Sequence, residues 1–355
     1  MGQCLEKDTT SPHKEDTSNS FDYRQLIRTT KFSVLNAEDH EGSDDAGEVW
    51  AANIDTEQIS RHWVSHSSPS DSIDYFISHA WDDEGYSKGL SLTPTWESAD
   101  QLNEFGWRKA VAFQNVVRTI VEMKGIGDRT ALRFWLDKAC IPQYDGQLKV
   151  QCISSFEGFI KSSYGLIVLL SPRYPKRLWC VYEVACFLCT KAMDRVFINH
   201  RSFGCDKNIQ IYIDAVRNFS IDTCECKVEF DKTILEAKVS QYYTSKEDFA
   251  CFVQAALTTL IVRDYYSYPP MIKTVALFDE YVGPWLAFME ETTFLKDLHR
   301  AFVDFDVPRV YEESDFDDPT YMTKLQLHLG ENVYPMINAM RLEYCTQDGL
   351  SLYQG

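Results

Sequence analysis

The chain has 355 residues, enough for one large domain or two ordinary ones, and its 45% hydrophobic content supports a buried core. Its formal net charge of -18 at pH 7 excludes a surface suited to the phosphate backbone of nucleic acid and disfavours adsorption to an anionic membrane. A nucleotide ligand stays compatible with this charge, because a pocket can be locally positive in an acidic protein.

Residues 1–70 are mostly polar and acidic with weak periodicity, which predicts a flexible acidic N-terminal arm. Within it, Gly2 and Cys4 stand where myristate and palmitate could be attached, although Glu6 occupies the position where the myristoylation pattern has Ser or Thr. Two acyl chains together would anchor a protein. We therefore expect a membrane partner only if Gly2 and Cys4 are lipidated, and an unmodified start is the alternative.

Ordered structure is predicted to begin at Asp71. Residues 73–78 form a short apolar run between polar residues, which is typical of a buried strand. A long loop follows at 81–101, and loops of this length are often functional. Apolar residues then recur at helical spacing up to Gly125 and predict an amphipathic helix.

The next segments continue the alternation of strands and helices. Residues 132–136 predict a second strand. Residues 164–171 predict a third, whose near-continuous apolar run suits a central parallel strand covered on both faces. A helix is predicted at 178–193, and further strands are predicted at 196–198 and 209–213.

This alternation predicts an α/β fold with a parallel sheet, right-handed crossovers and helices on both faces. We expect the sheet domain to span residues 71–262. From residue 231 onward the pattern is helical, and residues 263–355 predict a helical C-terminal extension that packs on the sheet domain.

The eleven cysteines lie in apolar or helical contexts without the spacing of a disulfide framework, and no signal peptide precedes them. This favours reduced thiols and a cytoplasmic protein. Cys186 and Cys189 have the spacing of half a zinc site, but they lie in an apolar helix and no matching second pair follows. We therefore predict no metal site.

Glu183 is a carboxylate within an apolar helix, and it shares a helix face with Trp179, four residues earlier. Burying such a group is costly unless it is partnered or used. The helix also follows a strand end, where ligand crevices form in parallel α/β sheets. Other strand ends place further side chains at the same edge, namely Ser78, His79, Trp81 and Asp137.

A structural role for Glu183 is the alternative. The carboxylate could cap the helix or pair with Arg173 or Arg177, and from spacing alone this interpretation is favoured, because ion-pair networks also hold such residues. His79 has a similar alternative, since a lone histidine at a strand end more often makes a backbone hydrogen bond than takes part in chemistry.

Three blocks of sequence fall in order on the first predicted strand, the second predicted strand and the helix that carries Glu183. They are Asp74-Tyr-Phe-Ile-Ser-His79, Phe134-Trp-Leu-Asp137, and Ser171-Pro-Arg-Tyr174 followed by Trp179-Cys180-x-x-Glu183. Together they resemble the Toll/interleukin-1 receptor-like (TIR) domain family, in which the matching blocks are the first strand, the second strand before the mobile BB loop, and the third block. The resemblance is clearest over residues 71–199 and extends to about 262.

The resemblance implies a flavodoxin-like fold and signalling, of the kind used in innate immunity, through self-association or binding to other TIR domains. In many TIR domains it also implies cleavage of NAD, as substrate rather than cofactor, at the nicotinamide–ribose bond. The family's catalytic glutamate falls on Glu183. The residues expected to line the substrate pocket are Phe76, Ser78, His79, Trp81, Asp137 and Trp179.

Two other functions remain open. A non-catalytic adaptor would act by protein association alone, and the long loop after the first strand, which TIR domains usually lack, is compatible with this. A general α/β nucleotide-binding protein is the third interpretation, which follows from fold analogy only.

Overall fold

The structure is a computed structural model that describes residues 23–35, 50, 57–80, 99–199, 208–226, 228–267, 275–305 and 319–351. The expected lipidation sites Gly2 and Cys4 and the expected pocket residue Trp81 lie outside these residues. Within the part of the chain described, no helix combines the length and the apolar character needed to cross a bilayer.

A mixed six-stranded sheet forms the centre of the described structure. Its spatial order is β2-β1-β4-β3-β5-β6, with β3, β4, β5 and β6 parallel and β1 antiparallel to both of its neighbours. The strands are β1 (Arg28–Lys31), β2 (Ser67–Pro69), β3 (Ile73–His79), β4 (Arg133–Trp135), β5 (Ser163–Leu169) and β6 (Val196–Asn199).

Helices follow and flank the parallel strands. Those up to residue 266 are α1 (Phe32–Leu35), α2 (Glu57–Ser65), α3 (Ala99–Lys124), α4 (Asp137–Cys140), α5 (Gly146–Ser154), α6 (Phe156–Ser162), α7 (Leu178–Thr190), α8 (Ile209–Arg217), α9 (Glu229–Tyr242) and α10 (Lys246–Tyr266). The C-terminal extension contains α11 (Val275–Tyr281), α12 (Gly283–Glu291), α13 (Lys296–Asp304), α14 (Pro319–His328), α15 (Tyr334–Tyr344) and α16 (Gln347–Ser351).

Strand β5 lies in the interior of the sheet and is covered on both faces. Residues 166–169 are all 0% exposed, and successive side chains of a strand point to opposite faces. Helices must therefore pack on both sides, as an α/β fold requires. The strands predicted at 73–78, 132–136, 164–171 and 196–198 are confirmed.

The sheet begins earlier in the chain than the composition suggested. Strands β1 and β2 lie within residues 1–70, so the described part of this segment is structured and is not a flexible arm. Thr30 pairs with Phe134 of β4, and Trp50 is fully buried against Phe113. A few buried contacts with distant partners outweigh the polar composition of this segment.

The strand predicted at 209–213 is wrong, because this segment begins helix α8. Three isoleucines at alternate positions gave the segment a strand-like pattern. The buried residues are instead Tyr212, Ile213 and Val216, whose spacing forms one face of a helix.

The C-terminal extension is fastened to the sheet domain by backbone hydrogen bonds. Thr244 N–H donates to the carbonyl of Tyr344, and Thr346 N–H donates to the carbonyl of Tyr242, each at 2.9 Å. The Arg341 guanidinium also donates to the carbonyl of Cys189 at the end of α7. The helix that carries Glu183 is therefore held from both the sheet and the extension.

Packing between β3 and β5 leaves no room for a side chain at Gly165. This residue pairs with Tyr75, and a Cβ there would lie 2.7 Å from the tyrosine ring, which is buried. We expect Gly165→Ala to lower the free energy of unfolding, measured in urea, by about 1–3 kcal/mol. Gly127→Ala is the control, because nothing lies within 4 Å of its Cβ position. Equal stability of the two variants would contradict this packing.

Candidate functional site

Glu183 lies on α7 and reaches the end of strand β3. It is only 7% exposed, and its Oε2 atom is hydrogen bonded to the hydroxyl of Ser78, the penultimate residue of β3. Because the neighbouring strands are parallel, their carboxyl ends meet at this edge, where α/β proteins bind ligands. The expected catalytic residue and one of the expected pocket residues are therefore in contact.

Tyr174 extends this contact into a chain of hydrogen bonds. Its hydroxyl is hydrogen bonded to Ser78, and it also donates to the backbone carbonyl of Cys180 at 2.9 Å. Ser78 and Tyr174 are both fully buried. Tyr174 was not among the expected site residues, although it stands in the third TIR-like block.

Burial dominates the ionisation of this group. Loss of solvent raises the pKa of Glu183 well above its ordinary value of 4.5. The hydrogen bond with Ser78 acts in the opposite direction, while the negative charge of Asp137 raises the pKa further. Burial likewise raises the pKa of the Tyr174 hydroxyl well above 10.0.

His79 belongs to a second polar group. Its Nδ1 atom lies 3.4 Å from Lys109 Nζ, and its Nε2 atom lies 3.5 Å from Asp137 Oδ1, a distance too long for a strong hydrogen bond. Burial, followed by the charge of Lys109, lowers the pKa of His79 to about 4, although Asp137 opposes this shift. The imidazole is therefore neutral at pH 7.

Two buried lysines belong to this second group, and neither was among the expected site residues. Lys109 donates to the carbonyl of Ala80, and Lys138 donates to the carbonyl of Trp50 at 3.0 Å. A signal for Lys109 exists in the sequence, since it lies four residues before Phe113 on the buried face of α3.

The two groups lie on opposite faces of the sheet. Ser78 and His79 are adjacent in β3, and adjacent side chains of a strand point in opposite directions. Ser78 therefore meets Glu183 on α7, whereas His79 meets Lys109 on α3. Asp137, which follows β4, interacts with both groups, because it lies beside His79 and its charge acts on Glu183.

The remaining expected residues occupy different places. Phe76 is 0% exposed and its ring stacks on Trp135 at 4.3 Å, so it belongs to the core and offers no free surface. Trp179 is half-buried, packs edge-on against Phe156 at 5.0 Å, and donates from Nε1 to Asp231 at 3.4 Å.

The expected alternative partners of Glu183 do not hold it in an ion pair. Arg173 pairs with Glu225 at 3.1 Å, and the hydrogen-bond partner of Glu183 among the described residues is Ser78. The two cysteines weighed as half a zinc site are buried in α7. Among the described residues, no three histidine, cysteine or acidic side chains cluster so as to hold a metal ion.

Two clefts of the described structure lie away from Glu183. One of about 350 Å³ runs between α3, β6 and the end of α10, and another of about 570 Å³ runs between the end of α7 and α15. They adjoin each other, since Asp194, Gln326 and Tyr334 line both. Their position does not single out a ligand.

Comparison with protein-family models, with curated proteins and with solved structures finds no match for this chain. The likeness to TIR domains therefore rests on the three sequence blocks.

The buried neutral His79 makes a prediction about acid stability. Because its pKa is about 4 in the folded chain and 6.5 as the ordinary value, the unfolded chain binds a proton first as the pH falls. The neutral His79 therefore makes its full contribution to the free energy of unfolding above pH 6.5, and this contribution is lost as the pH falls toward 4. We expect the wild type to lose up to about 3 kcal/mol more than His79→Gln over this range in urea unfolding.

An exposed histidine gives the control for this prediction. His66 is exposed, so His66→Gln should keep the acid dependence of the wild type. An identical pH dependence for the wild type and His79→Gln would mean that the imidazole is not held neutral by its surroundings.

Proposed function

We propose that this chain is a TIR-like signalling protein with a flavodoxin-like sheet. The parallel strands in the order β4-β3-β5-β6 correspond to the first four strands of the flavodoxin-like order 2-1-3-4-5. The first, second and third TIR-like blocks fall on β3, on β4 and on the segment that enters α7, in that order. These correspondences support the assignment, and the antiparallel strands β1 and β2 would be additions at one edge.

The activity we propose is hydrolysis of NAD at the nicotinamide–ribose bond. The observation that carries this proposal is the carboxyl group of Glu183, held by Ser78 at the carboxyl ends of parallel strands. Nicotinamide would leave with the electron pair of the broken C–N bond, and the ribose would develop oxocarbenium character before water adds to it. A carboxylate beside the ribose stabilises this positive charge.

Other side chains at this edge would assist the reaction. Trp179 lies one helical turn before Glu183, so it is placed to wall a pocket beside the carboxyl group. Asp137 brings a second negative charge to the same edge. Ser78 would orient Glu183 through their hydrogen bond, and it would act as a positioning residue without touching the substrate.

A non-catalytic adaptor is the second candidate, and the enclosure of the site favours it. Glu183 is 7% exposed and Phe76 is 0% exposed, so neither gives a ligand much surface in the described structure. In this case the carboxyl group would only fasten α7 to β3. The protein would then act by binding a second copy of itself or another TIR domain.

The test of hydrolysis is nicotinamide release from NAD by the purified protein at high concentration, because activity can require assembly. We expect release by the wild type and a loss of about 100-fold or more in Glu183→Gln, since the variant cannot carry the stabilising negative charge. Glu157→Gln is the matched control. Its carboxylate, on α6, accepts hydrogen bonds from Tyr182 and Lys238 and is not among the groups that shift the pKa of Glu183.

No release by the folded wild type, or equal release by Glu183→Gln, would reject the enzyme. If Glu183→Gln then binds a second copy of itself as well as the wild type does, the adaptor function is supported.

A further inference from the structure

Four oxygen atoms form an unbranched chain of contacts at the centre of the site. Glu183 Oε2 is hydrogen bonded to Ser78 Oγ, which is hydrogen bonded to Tyr174 Oη, which lies 2.9 Å from the carbonyl oxygen of Cys180. All four belong to buried residues. Three contacts between oxygens require three hydrogen atoms, one for each contact.

The last oxygen of the chain can only accept. The carbonyl of Cys180 lies within α7, in the first turns of the helix, and a carbonyl has no hydrogen to give. Ser78 and Tyr174 supply one hydroxyl hydrogen each. The third hydrogen must therefore come from Glu183.

An ionised Glu183 leaves one contact without a hydrogen. If Tyr174 donates to Cys180 and Ser78 donates to Glu183, the two hydroxyl oxygens face each other through lone pairs. If Tyr174 donates to Ser78 instead, its oxygen faces the carbonyl of Cys180 in the same way. A protonated Glu183 fills every contact, because each group then donates to the next along the chain.

We infer that Glu183 is a neutral carboxylic acid in the resting protein, and that Ser78 and Tyr174 are the positioning residues that hold its proton. The direction of donation is then from Glu183 to Ser78, from Ser78 to Tyr174 and from Tyr174 to the carbonyl of Cys180. Removing the tyrosine hydroxyl takes away the requirement for the third hydrogen.

The surroundings of the carboxyl group favour the same state. Burial is the largest influence and raises the pKa of Glu183. The hydrogen bond with Ser78 acts to lower it, and the negative charge of Asp137, which follows β4, raises it. The thiol of Cys186 lies on the same helix, and its own pKa is raised by burial. Lys238 of α9 is paired with Glu157 of α6, so this lysine is not the partner of Glu183. Among the described residues that shift the pKa of Glu183, none is a cation.

If the protein hydrolyses NAD as proposed, a neutral Glu183 must lose its proton before the reaction, and this step rests on the proposed function. A neutral acid cannot stabilise an oxocarbenium ion by its charge, so Glu183 must first lose its proton to water. The positively charged nicotinamide ring of NAD would favour this loss as it enters the site. We therefore expect hydrolysis to increase as the pH rises through the raised pKa of Glu183.

The experiment that tests the inference uses no NAD. We would measure the equilibrium constant for unfolding in urea at pH values from 4.5 upward for the wild type and Glu183→Gln. The folded wild type keeps a proton that the unfolded chain releases above pH 4.5, the ordinary value for this group. The unfolding constant of the wild type should therefore rise, relative to that of the variant, by about tenfold per pH unit until Glu183 ionises in the folded state.

Glu183→Gln suits this comparison because its side-chain amide donates to Ser78 as a carboxylic acid would, without titrating. Parallel pH profiles of the wild type and Glu183→Gln would show that the carboxyl group is ionised in the resting protein and would overturn the inference. Because the assay measures unfolding alone, this result is separate from any failure to hydrolyse NAD.

Tyr174→Phe provides the second variant. Without the tyrosine hydroxyl, Ser78 can donate its hydrogen to an ionised Glu183, and no contact between two oxygen atoms lacks a hydrogen. We therefore expect the pH-dependent loss of stability to end at a lower pH than in the wild type. Tyr182→Phe is the matched control, because Tyr182 lies beside Glu183 on α7 and its hydroxyl donates to the carboxylate of Glu157 at 2.7 Å. An equal shift in both tyrosine variants would overturn the role of Tyr174.

Discussion

The hydrogen bond between Ser78 and Glu183 is the constraint on which the site depends. It joins the end of β3 to the middle of α7, and it is the polar contact that keeps a carboxyl group inside an apolar helix face. Leaving such a group buried without a partner would cost about 1–3 kcal/mol or more. The position of α7 over the sheet is thus linked to the hydrogen bond of this carboxyl group.

The sheet edge separates two polar groups that the sequence suggested as one. Ser78 and His79 are neighbours in the chain, yet the strand turns them to opposite faces, one toward α7 and the other toward α3. Asp137 is the residue that acts on both, through its 3.5 Å contact with His79 and its charge on Glu183. A change of charge at Asp137 would therefore reach both faces, which makes this carboxylate the electrostatic link of the site.

Much of the α/β core could be predicted from the sequence, because its strands are apolar runs and its helices repeat at helical spacing. Strand β1 could not, since Arg-Thr-Thr-Lys is polar and its place depends on pairing with β4, about a hundred residues later. Ser78 and Glu183 were predicted from the strand end and the apolar helix. Lys109 and Tyr174 were not predicted as site residues. Helical spacing places Lys109 on the buried face of α3, but its contact with His79 and the contact of Tyr174 with Ser78 arise only in the folded chain.

We infer that Glu183, at the carboxyl ends of the parallel strands, is a neutral acid that must ionise to become the carboxylate required by the proposed reaction. Infrared difference spectroscopy of the wild type against Glu183→Gln at neutral pH measures this state directly. Our account predicts a carbonyl band of a protonated carboxylic acid that shifts in heavy water and is missing from the variant. A difference spectrum containing only the bands of an ionised carboxylate would contradict it.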